Sequence, residues 1–139
     1  MEIKFTIKGN PDDPAGNPVP KLKMTGRQHW MPGAKRYVSW KSQVVLAFLD
    51  AVAEQHPAFL PIMHKSLAFR GKPIELLLDK SAEMELTIFW KNDAHADPEN
   101  VFGSIADALF KNDKNLYGRF DEGLPRDGRG RVEVTIKIS

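Results

Sequence analysis

EMELTIFWK (residues 83–91), NDAHADP (92–98) and ENVFGSIADAL (99–109) follow one another without interruption, and the hydrophobic period changes across them. The first run is rich in β-formers, with Ile88, Phe89 and Trp90 together, and predicts a strand. The second is turn-like and acidic. In the third, Pro98 and Glu99 suit the first turn of a helix. Val101, Ile105 and Leu109, joined by Phe102 and Ala106, then make a buried stripe, with Asn100, Ser104, Asp107 and Lys111 on a more polar side. This helix is expected to end near Lys111, before Asn112 and Asp113.

Working outward, residues 2–8 alternate: Ile3, Phe5 and Ile7 on one face, Glu2, Lys4, Thr6 and Lys8 on the other. Gly9, Asn10 and Pro11 stop that strand, and a loop rich in Pro, Gly, Asp and Asn runs to Pro20. Residues 21–34 show no period and predict an irregular basic arm or short hairpin. From about Lys35 the period is helical, with Tyr37, Lys41, Val44, Phe48 and Val52 near one stripe and Val45 and Leu49 widening it, to an end before Pro57. A further turn over 58–63 and an extra strand over 73–79 are weaker expectations. After a Gly-rich, charged loop containing Arg126, Asp127, Gly128, Arg129 and Gly130, the alternation of Val132, Val134, Ile136 and Ile138 predicts a last strand. With no internal repeat, these elements predict one α+β domain over residues 1–139, a small mixed sheet packed with two main helices.

The 139 residues include no cysteine, which excludes disulfides and thiolate chemistry and leaves oxygen or imidazole as the metal ligands. No stretch has the length and apolarity of a membrane span, and MEIKFTIKG reads as a strand rather than a secretion signal, so a cytoplasmic protein that does not enter membranes is expected. The net charge of +2 identifies no partner by itself. Its distribution says more: Lys4, Lys8, Lys21, Lys23, Arg27, Lys35, Arg36 and Lys41 crowd the first third, whereas Asp93, Asp97, Glu99, Asp107 and Asp113 gather later. Basic residues around an acidic cluster suit a metal-dependent nuclease, because phosphates must be drawn toward carboxylates that repel them. Scattered solvated lysines are the plainer reading.

Carboxylates between a strand and a helix can hold Mg²⁺ or Mn²⁺, since hard ions take oxygen ligands and leave room for water and phosphate. Glu99 also fits simple helix-start electrostatics. His95 can be a proton carrier, a support for a ligand or a solvated loop residue, and Asp107 either a solvated residue or a partner for Lys111. Trp40 and Trp90 fall in helical and strand settings that predict core packing, while Trp30, among basic residues of the arm, is the candidate for stacking on an unpaired base.

DPEN (97–100), then DAL (107–109) and NDKNL (112–116), together with GNPVPK (16–21) and the strand RVEVTI (131–136), resemble the RusA family of Holliday-junction resolvases in the expected order over most of the chain. The resemblance implies a homodimer that binds branched DNA, four-way junctions above all, and makes paired symmetric nicks with Mg²⁺, for which Mn²⁺ can substitute. By the same resemblance, Asp97 and Asp113 match direct metal ligands, Glu99 a ligand or water-positioning base, and Asn100 the neighbouring asparagine. Lys21, Lys23, Arg27, Trp30, Lys35 and Lys111 are the expected DNA contacts. Three positions depart from the pattern: Glu99 is one methylene longer than aspartate, Asn112 replaces an acid, and Gly103 stands where the best-known members carry a catalytic lysine. Lys114 and Lys111 are the candidate replacements for that lysine. The alternatives are a RusA-like structure-specific DNA-binding protein with little or no catalysis, and an unrelated small interaction domain.

Overall fold

A computed structural model describes residues 1–22, 32–59, 82–110, 116–123 and 127–138. Strand β1 (Glu2–Lys8) leads through the Asn10–Lys21 loop toward helix α1 (Pro32–Gln55), which is followed by a 3-10 turn at Pro57–Phe59. Strand β2 (Ala82–Phe89), helix α2 (Pro98–Leu109), strand β3 (Leu116–Glu122) and strand β4 (Arg131–Ile138) complete the order. The sheet runs β1-β4-β2-β3. β4 is antiparallel to both β1 and β2, and β3 is parallel to β2, so the sheet is mixed and the fold is α+β with two main helices.

The alternation in β1, β2 and β4 drives this arrangement. Ile3, Phe5, Ile7, Met84, Leu86, Ile88, Val134 and Ile136 are buried on one face, and α1 covers them with Trp40, Val44, Phe48 and Val52. Phe5 meets Phe48 edge-on, with ring centroids 5.8 Å apart. The opposite face is polar, where Glu85 pairs with Arg119 and Lys137.

Several expectations change. α1 starts at Pro32, a residue suited to the first helical turn, and its stripe includes Trp40 while Lys41 stays at the margin. α2 ends at Leu109, where Phe110 turns extended. Ser104, expected on the polar side, is fully buried. β3 is a strand in a stretch where the sequence predicts no element; its residues are mostly exposed, so no alternation marks it. Gly118 sits on its core face because an added Cβ there would collide with the Phe102 ring. The expected strand over 73–79 and most of the basic arm lie outside the described residues. Among the described residues no helix is long and apolar enough to cross a membrane.

Candidate active site

β2 delivers the chain to the acidic turn, and its carboxyl end is where a parallel strand pair commonly presents ligand-binding groups. Trp90 anchors the turn from below, fully buried, and His95 stacks on it with ring centroids 4.0 Å apart and planes 9° from parallel. His95 is therefore a half-buried cover for the indole rather than a solvated loop residue. Asp97 caps α2: its Oδ1 accepts from Glu99 N at 2.9 Å, which satisfies one of the unpaired N–H groups of the first turn. Both Asp97 and Glu99 are exposed, and Glu99 also suits the positive end of the helix dipole.

The turn is held from outside by the GNPVPK run. Asn17 Oδ1 accepts from Lys91 N at 2.6 Å, and Asn17 Nδ2 donates to Asn92 Oδ1 at 3.1 Å and to Ala94 O at 3.0 Å. Lys91 Nζ reaches Asp13 Oδ2 at 2.7 Å. That ion pair and a hydrogen bond from Ala15 N hold the Asp13 carboxyl below the ordinary carboxylate value. Further along, Ser104 Oγ donates to Val19 O at 2.7 Å, and Lys21 N donates to Asn100 O at 2.8 Å. Two stretches some 75 residues apart in sequence are thereby one unit. Asn17, Lys91 and Asp13 are the residues that sequence reading did not single out for this; only the place of Asn17 within GNPVPK hinted at a role.

Along α2, Tyr37 OH donates to Asp107 Oδ2 at 2.7 Å and Lys41 Nζ lies 3.6 Å from the same oxygen, so Asp107 faces α1 rather than standing solvated. Burial, and then the bond to Asp107, push the Tyr37 phenol well above its ordinary value. Beside Asp107 a cleft of about 220 Å³ is lined by Lys21, Phe102, Gly103, Ala106, Phe110 and Leu116. Gly103 lies inside the helix, where glycine costs roughly 0.5–1 kcal/mol relative to alanine.

Of the expected site residues, Asp97 and Glu99 are brought together at the start of α2, and Lys21 is tied to the same turn through Asn100. Lys35 is exposed near the start of α1, two positions before Tyr37, whose contact is with the far half of α2. Asp113, Lys114, Lys111, Lys23, Arg27 and Trp30 lie outside the described residues. The caps Asp97 and Phe110 are separated by the length of α2, about 20 Å at 1.5 Å per residue. Among the described residues no group of three or more His, Cys, Asp or Glu is close enough to hold a metal ion. β3, parallel to β2, brings Asp121 and Glu122 to the same end of the sheet as the acidic turn.

The chain matches no protein-family model, and no curated protein matches it at a significant level. The resemblance to RusA-like resolvases rests on the quoted residues.

Proposed function

We propose that this protein is a metal-dependent endodeoxyribonuclease that resolves four-way DNA junctions by paired phosphodiester nicks. The observation that carries the reading is the contact between GNPVPK and the acidic turn, through Asn17 and Lys21, with two exposed carboxylates at the carboxyl end of β2. These are the two stretches on which the resemblance chiefly rests.

The residues fit a hard divalent ion. Mg²⁺ is commonly held by one or two carboxylates with water and substrate phosphate completing its shell. Among the described residues Asp97 Oδ2 has no partner after Oδ1 caps the helix, and Glu99, two residues on, is exposed. Mg²⁺ or Mn²⁺, when bound, supplies polarisation of the phosphodiester and acidification of a water. Asp97 and Glu99 would hold it, Asp113 is the third ligand by resemblance, and Lys21 with the basic arm would hold the DNA. A two-fold homodimer is the natural way to nick two strands symmetrically.

A second reading, junction binding without cleavage, is favoured by the helix-cap duty of Asp97 and because, among the described residues, no third metal-ligating group joins Asp97 and Glu99. One experiment decides between them: a labelled four-way junction and a matched linear duplex, incubated with Mg²⁺, Mn²⁺ or EDTA, using wild type and Asp97→Asn. Ion-dependent paired nicks on the junction that vanish in the variant support the nuclease. Tight junction binding with no nicks supports the second reading, and the absence of both removes DNA as the partner.

A further inference from the structure

We propose that Lys21, seated across Gly103, is the phosphate-gripping cation of the α2 face, and that Gly103 is glycine in order to seat it; this rests on the reading of the protein as a DNA-binding nuclease. The backbone of Lys21 is fixed to α2 by the 2.8 Å bond from its N–H to Asn100 O. Its stem then lies over the helix: a Cβ added at Gly103 would stand 3.3 Å from Lys21 Cδ and 3.5 Å from Lys21 Cβ. Glu99, Gly103, Ala106 and Phe110 fall on one stripe of the helix by their spacing, so Lys21 crosses that stripe one turn beyond Glu99.

Three observations converge on a role for this contact. Glycine inside a helix weakens it, and no turn or positive φ requires glycine at position 103, since only Gly9 and Gly128 have positive φ among the described residues. A Cβ there would press on the stem of a cation by a few tenths of an ångström, and a longer side chain would have to displace it. The lysine lines a cleft with Asp107, yet the described partners of Asp107 are Tyr37 and Lys41, and among the described residues Lys21 forms no ion pair. An exposed ammonium whose stem is laid on a helix, one turn beyond Glu99, is suited to a backbone phosphate as a point charge. Lys21 thus offsets the repulsion that Glu99 and Asp97 exert on the DNA strand.

Fluorescence anisotropy of a labelled four-way junction, titrated at about 50 and 200 mM salt in EDTA, tests this without reference to cleavage. Each lost phosphate contact lowers the salt slope by about 0.9, so Lys21→Met, which keeps most of the stem and removes the charge, is expected to reduce the affinity lost between those salts by roughly 3.5-fold. Lys21→Arg should retain the wild-type slope. Gly103→Leu, which displaces the stem, should match Lys21→Met, and the double variant should add nothing further. Gly103→Ala guards against misfolding: it favours the helix and shifts the stem by only a few tenths of an ångström, so it should raise the melting temperature with near wild-type binding, and a loss as large as that of Gly103→Leu overturns the displacement account. An unchanged slope in Lys21→Met, or additive effects in the double variant, overturns the proposal while wild-type binding leaves the nuclease reading intact. Wild type that binds no DNA with salt dependence overturns both.

Discussion

Trp40 Nε1 donates a hydrogen bond of 2.9 Å to Ser104 Oγ, and both residues are fully buried. The same hydroxyl faces Val19 O at 2.7 Å and Val101 O at 2.8 Å, so one oxygen joins α1, α2 and the GNPVPK run. A buried donor that loses its acceptor bears its full desolvation penalty. Ser104→Ala is therefore expected to destabilise the fold by about 1–3 kcal/mol, because the indole N–H is left unpaired. Urea denaturation should show an earlier midpoint with the slope preserved; no shift would mean that water or another group takes over the acceptor role.

Asp97 combines a structural and a proposed chemical duty, and two substitutions separate them. Asparagine caps helices about as well as aspartate, so Asp97→Asn should change stability by less than about 0.5 kcal/mol. Asp97→Ala, which removes the acceptor for Glu99 N, should lose about 1 kcal/mol. Thermal melts of both variants check this, and equal losses would show that the cap does not stabilise α2.

Asp13 makes stability depend on acid. Its carboxyl is held below the ordinary value of 3.8, first by the hydrogen bond from Lys91 and then by the one from Ala15 N. The folded protein therefore binds that proton less tightly than the unfolded chain. The stabilisation is complete above the unfolded value and disappears as pH falls through the lower folded value. Asp13→Asn should be less stable than wild type at neutral pH, with the difference closing below pH 3.8. Denaturation midpoints across that range measure it, and a difference that stays constant into acid would sink the assignment.

The strands β1, β2 and β4 were legible because each carries one face to the core and one to solvent, a pattern with a period of two. β3 was not, since LYGRFDE has glycine at a core-facing position and its side chains stay largely in water. What makes it a strand is the backbone of β2, which no local pattern in 116–122 reveals. Ser104 and Asp107 show the same limit from another side. Helical spacing places both on a polar flank, but their partners, Trp40, Tyr37 and Lys41, come from a helix more than 60 residues away. Asp97 and Glu99 were legible as an acidic strand-to-helix junction. That Asn17 would fasten this junction depends on the fold, because asparagine in a Pro- and Gly-rich loop carries no signal beyond turn formation.

β4, the last strand in sequence, is one of the two inner strands of the sheet, and it pairs Glu2 with Lys137 as well as Ala82 with Ile138. During synthesis β1 emerges first, yet its described neighbour in the sheet becomes available only when residues 131–138 have left the ribosome. Until then Ile3, Phe5 and Ile7 lack the strand that pairs with them, and closing so long a loop makes this docking a slow event. Lys4 and Lys8, which project from the other face of β1, give the waiting strand charge that discourages association with its copies. The order in which the ribosome releases these strands thus leaves the place between β1 and β2 unfilled until residues 131–138 emerge.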